Sequence, residues 1–345
     1  MKFLDLFAGI GGIRLGLERS GHTPVGYVEI DKFARQSYQA MYDTTDEWTA
    51  TDITKVTDEE WRKFNGKVEL IAGGFPCQAF SIAGNRKGFM DETRGTLFFE
   101  IARAVEQIKP QFVFLENVKG LLNHEKGNTF RTVISTLDEL GYDVEWSVLN
   151  SKYFGVPHNR ERVYIVGHSR DGRGREVLPI FGQDRTVNSE TIKQLGNLKE
   201  TVPLGDNPQV GRVYSEDSIS PTLNTRQGGG RESKVLVREA TKKGYDIATV
   251  GDSINMAQPN SKTRRGRVGH GLANTLVTGS EQATLTEELR IRKITPRECW
   301  RLQAFPDELF DRAQATGMSD SQLYKQAGNS VTVNVIEYIG NLIGE

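Results

Sequence analysis

One cysteine in the sequence occupies a position that suits nucleophilic chemistry. Cys77 lies in Gly73-Gly74-Phe75-Pro76-Cys77-Gln78, directly after the apolar run Val68–Gly73. The Phe-Pro pair keeps the backbone extended and delays a following helix, so the thiol is presented at the carboxyl end of a predicted strand. A thiol there, near helix amino termini, can ionise and react as a thiolate. The alternative interpretation of a lone cysteine is a small, buried apolar residue. We apply that interpretation to the other cysteine of the chain, Cys299.

Three charged residues are candidates to act with this cysteine. Glu116 ends the apolar run Phe112–Glu116, where a carboxylate is costly unless it is paired or used. Arg160 and Arg162 flank Glu161, and alternation along an extended chain points both arginines to one side. Surface ion pairing is the alternative interpretation for the arginines.

A glycine-rich turn predicts a ligand that contains a nucleotide. Phe7-Ala8-Gly9-Ile10-Gly11-Gly12 follows the first predicted strand, and glycines there let a ligand approach the backbone closely. Glu29 ends the next strand, where an acidic side chain can accept hydrogen bonds from ribose hydroxyls. Asp52 and Ile53 offer an acceptor and an apolar surface for an adenine ring. An adenosine-containing cofactor is therefore favoured over a simple turn.

The elements that position these residues alternate between strands and helices over residues 1–170. The predicted strands are Lys2–Phe7, Pro24–Glu29, Val68–Gly73, Phe112–Glu116, Val144–Leu149 and Arg162–Gly167. The predicted helices are Gly12–Ser20, Lys32–Tyr42, Leu97–Ile108 and Thr129–Leu140. This alternation predicts parallel strands with right-handed crossovers, hence a doubly wound, Rossmann-like α/β sheet. Ligands bind at the carboxyl ends of such strands, which is where the candidate residues fall.

The chain changes character after about residue 170. Gly, Thr, Ser, Asn and Arg dominate to about residue 290, which predicts a second, smaller, loop-rich domain. A helical pattern returns from Thr295, and the chain ends in a predicted helix, Val331–Leu342. A Gly-Arg-Val triplet is followed by Thr-Leu twice, within 211–223 and 266–276. Two short irregular β units or chance would explain this echo.

The near-neutral charge of the chain hides an uneven distribution. The sequence holds 44 Lys+Arg and 45 Asp+Glu, a net charge of −1. Residues 1–150 carry a net −5, residues 151–301 a net +8 and residues 302–345 a net −4. A basic middle between acidic flanks is typical of a surface for a polyanion, with a solvated basic face as the alternative.

Composition excludes several classes of protein. With 345 residues, 37% of them hydrophobic, and 36 glycines, the chain is globular and long enough for two domains. It has no run of about 18 apolar residues, so no membrane partner is expected. Two cysteines and five histidines without ligand spacing predict neither a disulfide framework nor a metal site. The low cysteine count fits a reducing, cytoplasmic compartment.

Five motifs, taken in order, resemble the bacterial and phage C5-cytosine-specific DNA methyltransferase family. They are Phe-Ala-Gly-x-Gly-Gly, Pro-Cys-Gln, Glu-Asn-Val, Arg-Glu-Arg and Gln326-Ala-Gly-Asn-Ser-Val331. The resemblance covers nearly the whole chain except about 175–290. The Asp/Asn-Pro-Pro-Tyr motif of amino-methyltransferases does not occur. One departure is His158, which stands where the family usually has Gln.

The resemblance implies a DNA (cytosine-5-)-methyltransferase that uses S-adenosylmethionine, releases S-adenosylhomocysteine and needs no metal. Its implied catalytic residues are Cys77, which adds to C6 of cytosine, Glu116, which protonates N3, and Arg160 and Arg162, which contact the O2 side. Its implied cofactor-binding residues are Phe7, Ala8, Gly9, Ile10, Gly11, Gly12, Glu29, Ile30, Asp52, Ile53, Gly74, Pro76, Leu97, Asn329, Ser330 and Val331.

The same resemblance implies two domains and a duplex DNA partner. Residues 1–178 together with 302–345 would form the catalytic and cofactor-binding domain, and residues 179–301 the DNA target-recognition domain. The target cytosine must be flipped out of the duplex, and the loop Ser81–Arg94 is predicted to close over the DNA. The candidate DNA contacts are Gln78, Ser81, Arg86, Lys87, Arg94, Arg226, Gly228, Gly229, Arg264, Arg265 and Arg267.

Three other functions are compatible with the sequence. They are a tRNA cytosine-C5 methyltransferase, a catalytically idle DNA-binding relative, and an enzyme of small molecules with an adenosine cofactor. The long basic segment favours DNA, and the presence of Cys77, Glu116 and both arginines favours activity. We expect a monomer that acts in restriction-modification or phage DNA protection, with a companion restriction endonuclease as a further partner. The sequence does not specify the DNA site.

Overall fold

The computed structural model describes residues 1–76, 97–171, 177–178, 213–215, 234–258, 261, 263–276, 278, 281–286 and 291–345. The predicted loop Ser81–Arg94 lies outside the described residues, as does most of the stretch from 179 to 233.

The first half of the chain builds one large sheet and its helices. Its strands are β1 (Lys2–Leu6), β2 (Thr23–Val28), β3 (Trp48–Ala50), β4 (Leu70–Gly74), β5 (Phe112–Val118), β6 (Tyr142–Asn150), β7 (His158–Asn159) and β8 (Glu161–Ser169). Its helices are α1 (Gly12–Arg19), α2 (Lys32–Met41), α3 (Asp58–Arg62), α4 (Leu97–Ile108) and α5 (Asn128–Glu139), with 3₁₀ turns at Ile53–Lys55, Lys119–Gly127 and Ser151–Tyr153. The six predicted strands and four predicted helices are confirmed, with ends that shift by a few residues.

The large sheet has the strand order β3-β2-β1-β4-β5-β8-β6. Strands β3, β2, β1, β4 and β5 pair in parallel. Strand β8 is antiparallel to both β5 and β6, so the prediction of a parallel strand at Arg162–Gly167 is wrong. The link from β6 to β8 is too short for a crossover, because parallel neighbours need a dozen or more connecting residues. The reversal pairs Arg162 with Val118 and so brings it to the carboxyl end of β5.

Helices cover both faces of this sheet. On one face Leu4, Leu6 and Val113 pack with Ile101 of α4. On the other face Phe3, Leu70 and Phe114 pack with α1 and with the last helix. Alternate residues of each strand therefore enter different cores, as expected of a sheet buried on both sides. This confirms the doubly wound α/β architecture.

The later part of the chain contains short strands and then four helices. These are β9 (Val213–Ser215), β10 (Lys234–Arg238), β11 (Tyr245–Ala248), β12 (Ser253–Asn255), β13 (Val268–Gly269), β14 (Ala273–Asn274), β15 (Gln282–Leu285), β16 (Ile291–Lys293), α6 (Pro296–Arg301), α7 (Asp307–Ala315), α8 (Asp320–Asn329) and α9 (Val333–Gly344). The strands form the sheets β11-β10-β9 and β13-β12-β15-β16, while β14 pairs with β7. Each Gly-Arg-Val triplet has a strand that begins at its valine, Val213 in one sheet and Val268 in the other.

The chain's last helix returns to the first helix. An ideal Cβ on Gly16 of α1 would lie 2.5 Å from Cβ of Ile336 in α9, so a glycine is what allows this close approach. An ideal Cβ on Gly340 of α9 would clash with Oγ of Ser20 in the same way. Within the parts of the chain that the structure describes, no helix is long and apolar enough to cross a membrane.

Candidate active site

The glycine-rich turn leaves β1 through left-handed backbone conformations. Phe7, Gly9 and Gly11 have φ values of 59°, 56° and 78°. Glycine adopts such angles without strain, whereas Phe7 is held there by its surroundings. The turn is closed by the hydrogen bonds from Ala8 N to Val28 O, 3.0 Å, and from Gly11 N to Ala8 O, 2.8 Å. The backbone at Gly9 therefore faces the end of β2.

Glu29 ties the glycine-rich turn to the segment after β2. Its Oε2 accepts from Gly9 N at 2.7 Å and its Oε1 from Asp31 N at 2.7 Å. The side chain is 9% exposed, and burial raises the pKa of its carboxyl. A carboxylate has about four acceptor positions, so two remain for a ligand. The next side chain, Ile30, is 67% exposed although it is apolar.

A network of buried side chains contacts the glycine-rich turn and stabilises it. The hydroxyl of Tyr42 donates to Gly11 O at 3.0 Å. The Arg14 guanidinium lies 4.5 Å from the Tyr42 ring centroid and forms an ion pair of 2.8 Å with Glu47. Arg14 is 3% exposed, so this pair is nearly dry. Nothing in the local sequence pattern marks Arg14 or Glu47 as part of the site.

The glycine-rich turn opens into a cavity of about 440 Å³, within the size range of ligand sites. Of the predicted site residues, those that line it are Phe7, Gly9, Ile10, Glu29, Ile30, Gly74, Pro76, Glu116, Arg160, Arg162, Asn329 and Ser330. The predicted cofactor residues that do not line it are Ala8, Gly11, Gly12, Asp52, Ile53, Leu97 and Val331. The lining residues that were not predicted as site residues are Asp31, Ala34, Phe75, Asn117, Val118, Lys325, Gln326 and Gly328. Four of these, Asn117, Val118, Gln326 and Gly328, belong to the five motifs.

Three of the predicted cofactor residues that do not line the cavity, Gly12, Asp52 and Ile53, have structural roles instead. An ideal Cβ on Gly12 would lie 2.7 Å from Ser330 Oγ, so glycine lets α1 approach the returning segment. Asp52 caps the turn that follows β3, because its Oδ1 accepts from Thr54 N at 3.0 Å. The Thr54 hydroxyl donates to the same oxygen at 2.8 Å, and the two hydrogen bonds from Thr54 lower the pKa of Asp52, which stays ionised. Ile53 is 3% exposed and belongs to the core.

A carboxylate and two guanidinium groups meet at one end of the cavity. Glu116 Oε1 lies 3.0 Å from Arg162 Nε, and the Glu116 side chain is 10% exposed. Burial raises the pKa of Glu116, while Arg162 and Arg160 oppose that shift. Glu116 Oε1 is held by the Arg162 ion pair, whereas the buried Arg160 Nε has no hydrogen-bond partner among the described residues. Buried polar atoms of this kind are normally satisfied, so the group is suited to receive a polar ligand.

The two arginines make different contacts. Arg162 pairs with Glu116, and its Nη1 donates to Glu161 O at 2.8 Å. Arg160 is 2% exposed, and its Nη2 donates to Ser330 O at 2.7 Å and to Gly328 O at 3.2 Å. Burial and the Arg162 cation lower the pKa of Arg160 to about 9, so it stays protonated at neutral pH. Arg160 thus holds the segment that returns from the chain's end.

The segment that leads to Cys77 is fixed by Asn117. The Asn117 amide donates from Nδ2 to Phe75 O at 2.8 Å, and its Oδ1 accepts from Val118 N at 2.8 Å. Phe75 and Pro76 line the cavity, and Cys77 is the next residue. Cys77 itself lies outside the described residues. The other cysteine, Cys299, is 3% exposed, and burial raises the pKa of its thiol to about 12, as expected of an unreactive core residue.

Three of the predicted DNA contacts fall on residues that the structure describes. The others, which lie outside the described residues, are Gln78, Ser81, Arg86, Lys87, Arg94, Arg226, Gly228 and Gly229. Arg265 is exposed, and its Nε donates to Ala240 O at 2.9 Å. Arg264 is half-buried.

Arg267 requires a correction. It is 2% exposed, and its guanidinium donates to Asn255 O at 3.0 Å and to Arg238 O at 2.9 Å. Arg267 lies just before β13 and not within a strand, and its backbone N–H donates to Oε1 of the buried Glu239 at 2.5 Å, which ties the residue to the protein interior. Arg267 therefore stabilises the backbone around the apolar cluster of Val237, Ile254 and Val268 and does not face solvent.

No group of three His, Cys, Asp or Glu side chains in the described part of the chain is arranged to hold a metal ion.

The chain is similar in sequence to several known proteins. A family model described as C-5 cytosine-specific DNA methylase matches residues 1–345. The orphan methyltransferase M.SPRI of Bacillus phage SPR is 33% identical over 98% of this chain and 96% of its own length. The type II methyltransferase M.SsoII of Shigella sonnei is 38% identical over 99% of this chain and 79% of its own length.

A solved structure shows the same fold. A protein described as a DNA modification methyltransferase encoded within an Escherichia coli prophage has a TM-score of 0.61 to this chain. It is 22% identical and covers 100% of this chain and 98% of its own.

Proposed function

The chain belongs to the C-5 cytosine-specific DNA methylase family, and from that premise we propose that it methylates C5 of a cytosine flipped out of a specific site in duplex DNA. We propose S-adenosylmethionine as the methyl donor and Cys77 as the nucleophile. One observation carries the proposal: the glycine-rich turn and the group of Glu116, Arg160 and Arg162 line the same cavity. A cofactor and a pyrimidine could therefore meet there.

The residues of the cavity fit the proposed cofactor. Glu29 keeps two acceptor positions for ribose hydroxyls after its bonds to Gly9 and Asp31. Ile30, an apolar side chain left 67% exposed, offers a surface for the adenine ring. Asn329 and Ser330 enclose the other side. When bound, the cofactor supplies an electrophilic methyl group on a sulfonium, which a nucleophilic carbon can accept.

The protein's task is to make C5 of cytosine nucleophilic. The Cys77 thiolate adds to C6, while Glu116 gives a proton to N3, so the electron pair of the C5–C6 double bond is released to C5. Burial favours the protonated form of Glu116 that this step needs. Arg162, with Arg160 behind it, stabilises negative charge on the O2 side of the ring. After C5 gains the methyl group, a base removes the C5 proton, N3 returns its proton to Glu116, and the C6–sulfur bond breaks to release the Cys77 thiolate.

The arrangement of the chain supports duplex DNA as the substrate. We propose residues 1–178 with 302–345 as the catalytic domain and residues 179–301 as the target-recognition domain. The second of these lies within the segment of net charge +8, and phosphate contacts favour a basic surface. Relatives named as type II and orphan methyltransferases make a role in restriction-modification or phage DNA protection reasonable, with or without a companion endonuclease.

The proposal is tested with labelled S-adenosylmethionine and two substrates. Wild-type protein and Cys77→Ala are each incubated with duplex DNA or with tRNA. We expect label in DNA with the wild type and none with Cys77→Ala. Label only in tRNA would contradict the substrate, and label in DNA that survives Cys77→Ala would contradict the covalent mechanism.

A further inference from the structure

His158 lies at the junction of three segments that are distant in sequence. It belongs to β7, two residues before Arg160, and it is fully buried. Its Nε2 lies 3.2 Å from Leu276 N and its Nδ1 lies 3.1 Å from Leu302 O. Burial and the neighbouring Arg160 lower the pKa of His158 to about 3, so the ring is neutral. A neutral ring with its proton on Nδ1 satisfies both contacts, because it donates to Leu302 O and accepts from Leu276 N.

The segment 273–276 is docked along the whole of this strand. Strand β14 pairs in parallel with β7, and Ala273 N donates to Pro157 O at 2.7 Å. The Thr275 hydroxyl donates to Asn159 O at 2.9 Å. Arg160 Nη1 lies 3.4 Å from Leu276 O, at the long end of the hydrogen-bond range. The backbone of Leu276 is therefore held on its N–H side by His158 and on its carbonyl side by Arg160.

These contacts join the proposed recognition domain to the catalytic group. Segment 273–276 lies inside residues 179–301, whereas Arg160 directly follows β7 and Arg162 lies in β8. Arg160 also holds the carbonyls of Gly328 and Ser330, which line the cavity. A shift of segment 273–276 would therefore reach Arg160, and the adjoining strand with Arg162, through the carbonyl of Leu276.

We propose that His158 is a positioning residue that fixes the register of segment 273–276 against the strand bearing Arg160 and Arg162, and so couples target recognition to methyl transfer. This inference rests on the proposed function. The side chain of His158 hydrogen-bonds both Leu276 and Leu302, so its loss would loosen the recognition segment without touching the reacting atoms. Gln has one acceptor and one donor at a similar spacing, and it can make both contacts.

The test compares His158→Gln with His158→Leu in the full chain. With His158→Leu we expect kcat/KM on DNA to fall between about tenfold and a hundredfold, because small misplacements of catalytic groups are costly. We expect S-adenosylhomocysteine affinity within about twofold of the wild type, and a lower ratio of methylation at the preferred site to methylation elsewhere. His158→Gln should restore both properties.

Hydrogen exchange gives a readout that does not depend on activity. The amides of residues 273–276 should exchange faster in His158→Leu and return to wild-type rates in His158→Gln. Unchanged exchange, or unchanged rate and site choice in His158→Leu, would overturn the inference. A parallel loss of cofactor affinity and thermal stability in both variants would also overturn it, because the residue would then be merely structural. An inactive wild type with the expected exchange pattern would contradict the proposed function and leave the docking role standing.

Discussion

At the scale of single residues, the chemistry depends on a carboxyl group placed in a nearly dry site. Glu116 is 8% exposed and faces Arg162 and Arg160. Desolvation disfavours its ionised form, whereas the two cations favour it, and burial is the larger of these effects. The site therefore holds a carboxylic acid that can keep its proton at a higher pH than a solvent-exposed glutamate.

Glu116→Gln tests this acid directly. We expect kcat to fall by about 10²- to 10⁴-fold, the usual contribution of a positioned acid or base, with cofactor affinity unchanged. In the wild type, activity should decline as the pH rises through the raised pKa of Glu116, because only the protonated form donates to N3. This decline should be missing from the pH profile of the residual activity in Glu116→Gln. The exposed Glu106→Gln serves as the control, and an unaltered kcat in Glu116→Gln would contradict the assignment.

The sequence predicted residues whose role depends on local pattern and missed those whose role depends on distant contacts. Glu116 was predictable because an acidic residue ended an apolar strand, and the glycines because they followed one. Lys325 and Asp31 were not, since their 2.7 Å ion pair at the cavity joins residues 294 positions apart. The burial of Arg160 and Arg267 could not be predicted from the sequence either. The sequence pattern around an arginine does not show whether its guanidinium binds backbone carbonyls or faces solvent.

At the scale of elements, the site depends on two chain reversals. Antiparallel β8 brings Arg162 to the carboxyl end of β5, and the return of α9 to α1 brings Asn329 and Ser330 to the cavity. Strand lengths and helical periods predicted most elements, but the direction of β8 depended on a connection length that the pattern did not reveal. The short elements β3 and α3 were missed because three to five residues give too little periodicity.

Gly16→Ala tests the docking of α9 on α1. The added Cβ would lie 2.5 Å from Cβ of Ile336 and 2.9 Å from the backbone N of Glu337, so the helices must separate. We expect a loss of about 1–3 kcal/mol in the free energy of unfolding, as for other overpacked contacts, with weaker cofactor binding. Urea unfolding and calorimetric titration measure the two effects.

Gly120→Ala is the matched control for this substitution. Its added Cβ would meet nothing closer than 3.9 Å, so a change within about 0.5 kcal/mol is expected. Equal stability of Gly16→Ala and Gly120→Ala would contradict the tight contact between α1 and α9.

At the scale of the whole molecule, charge is separated along the chain. The acidic parts, net −5 and −4, contain the large sheet except β8 and the last three helices, and the segment of net +8 contains the whole proposed recognition domain. A near-neutral total is therefore compatible with a polyanionic partner. Within the basic segment, the exposed Arg265 is available to phosphates and the buried Arg267 is not.

Arg265→Ala and Arg267→Met should consequently differ in what they change. Arg265→Ala should weaken DNA binding at all sequences and reduce the slope of log Kobs against log salt by about 1, without a change in stability. Arg267→Met should lower the free energy of unfolding by about 1–3 kcal/mol, because backbone carbonyls lose their donors. Salt titrations and urea unfolding of both variants check this. A destabilised Arg265→Ala, or an Arg267→Met that loses only DNA affinity, would reverse the assignment.

The central claim is a covalent bond between Cys77 and the target cytosine, and a trapped adduct tests it most directly. Fluorine at C5 cannot leave as a proton does, so C6–sulfur bond cleavage is blocked after methyl transfer. With such fluorinated duplex DNA and S-adenosylmethionine, the wild type should form a complex that survives denaturation, and mass spectrometry of its tryptic peptide 68–86 should place the adduct on Cys77. Cys77→Ala should form none. An equal complex with Cys77→Ala, or methylated DNA without any adduct in the wild type, would contradict the account.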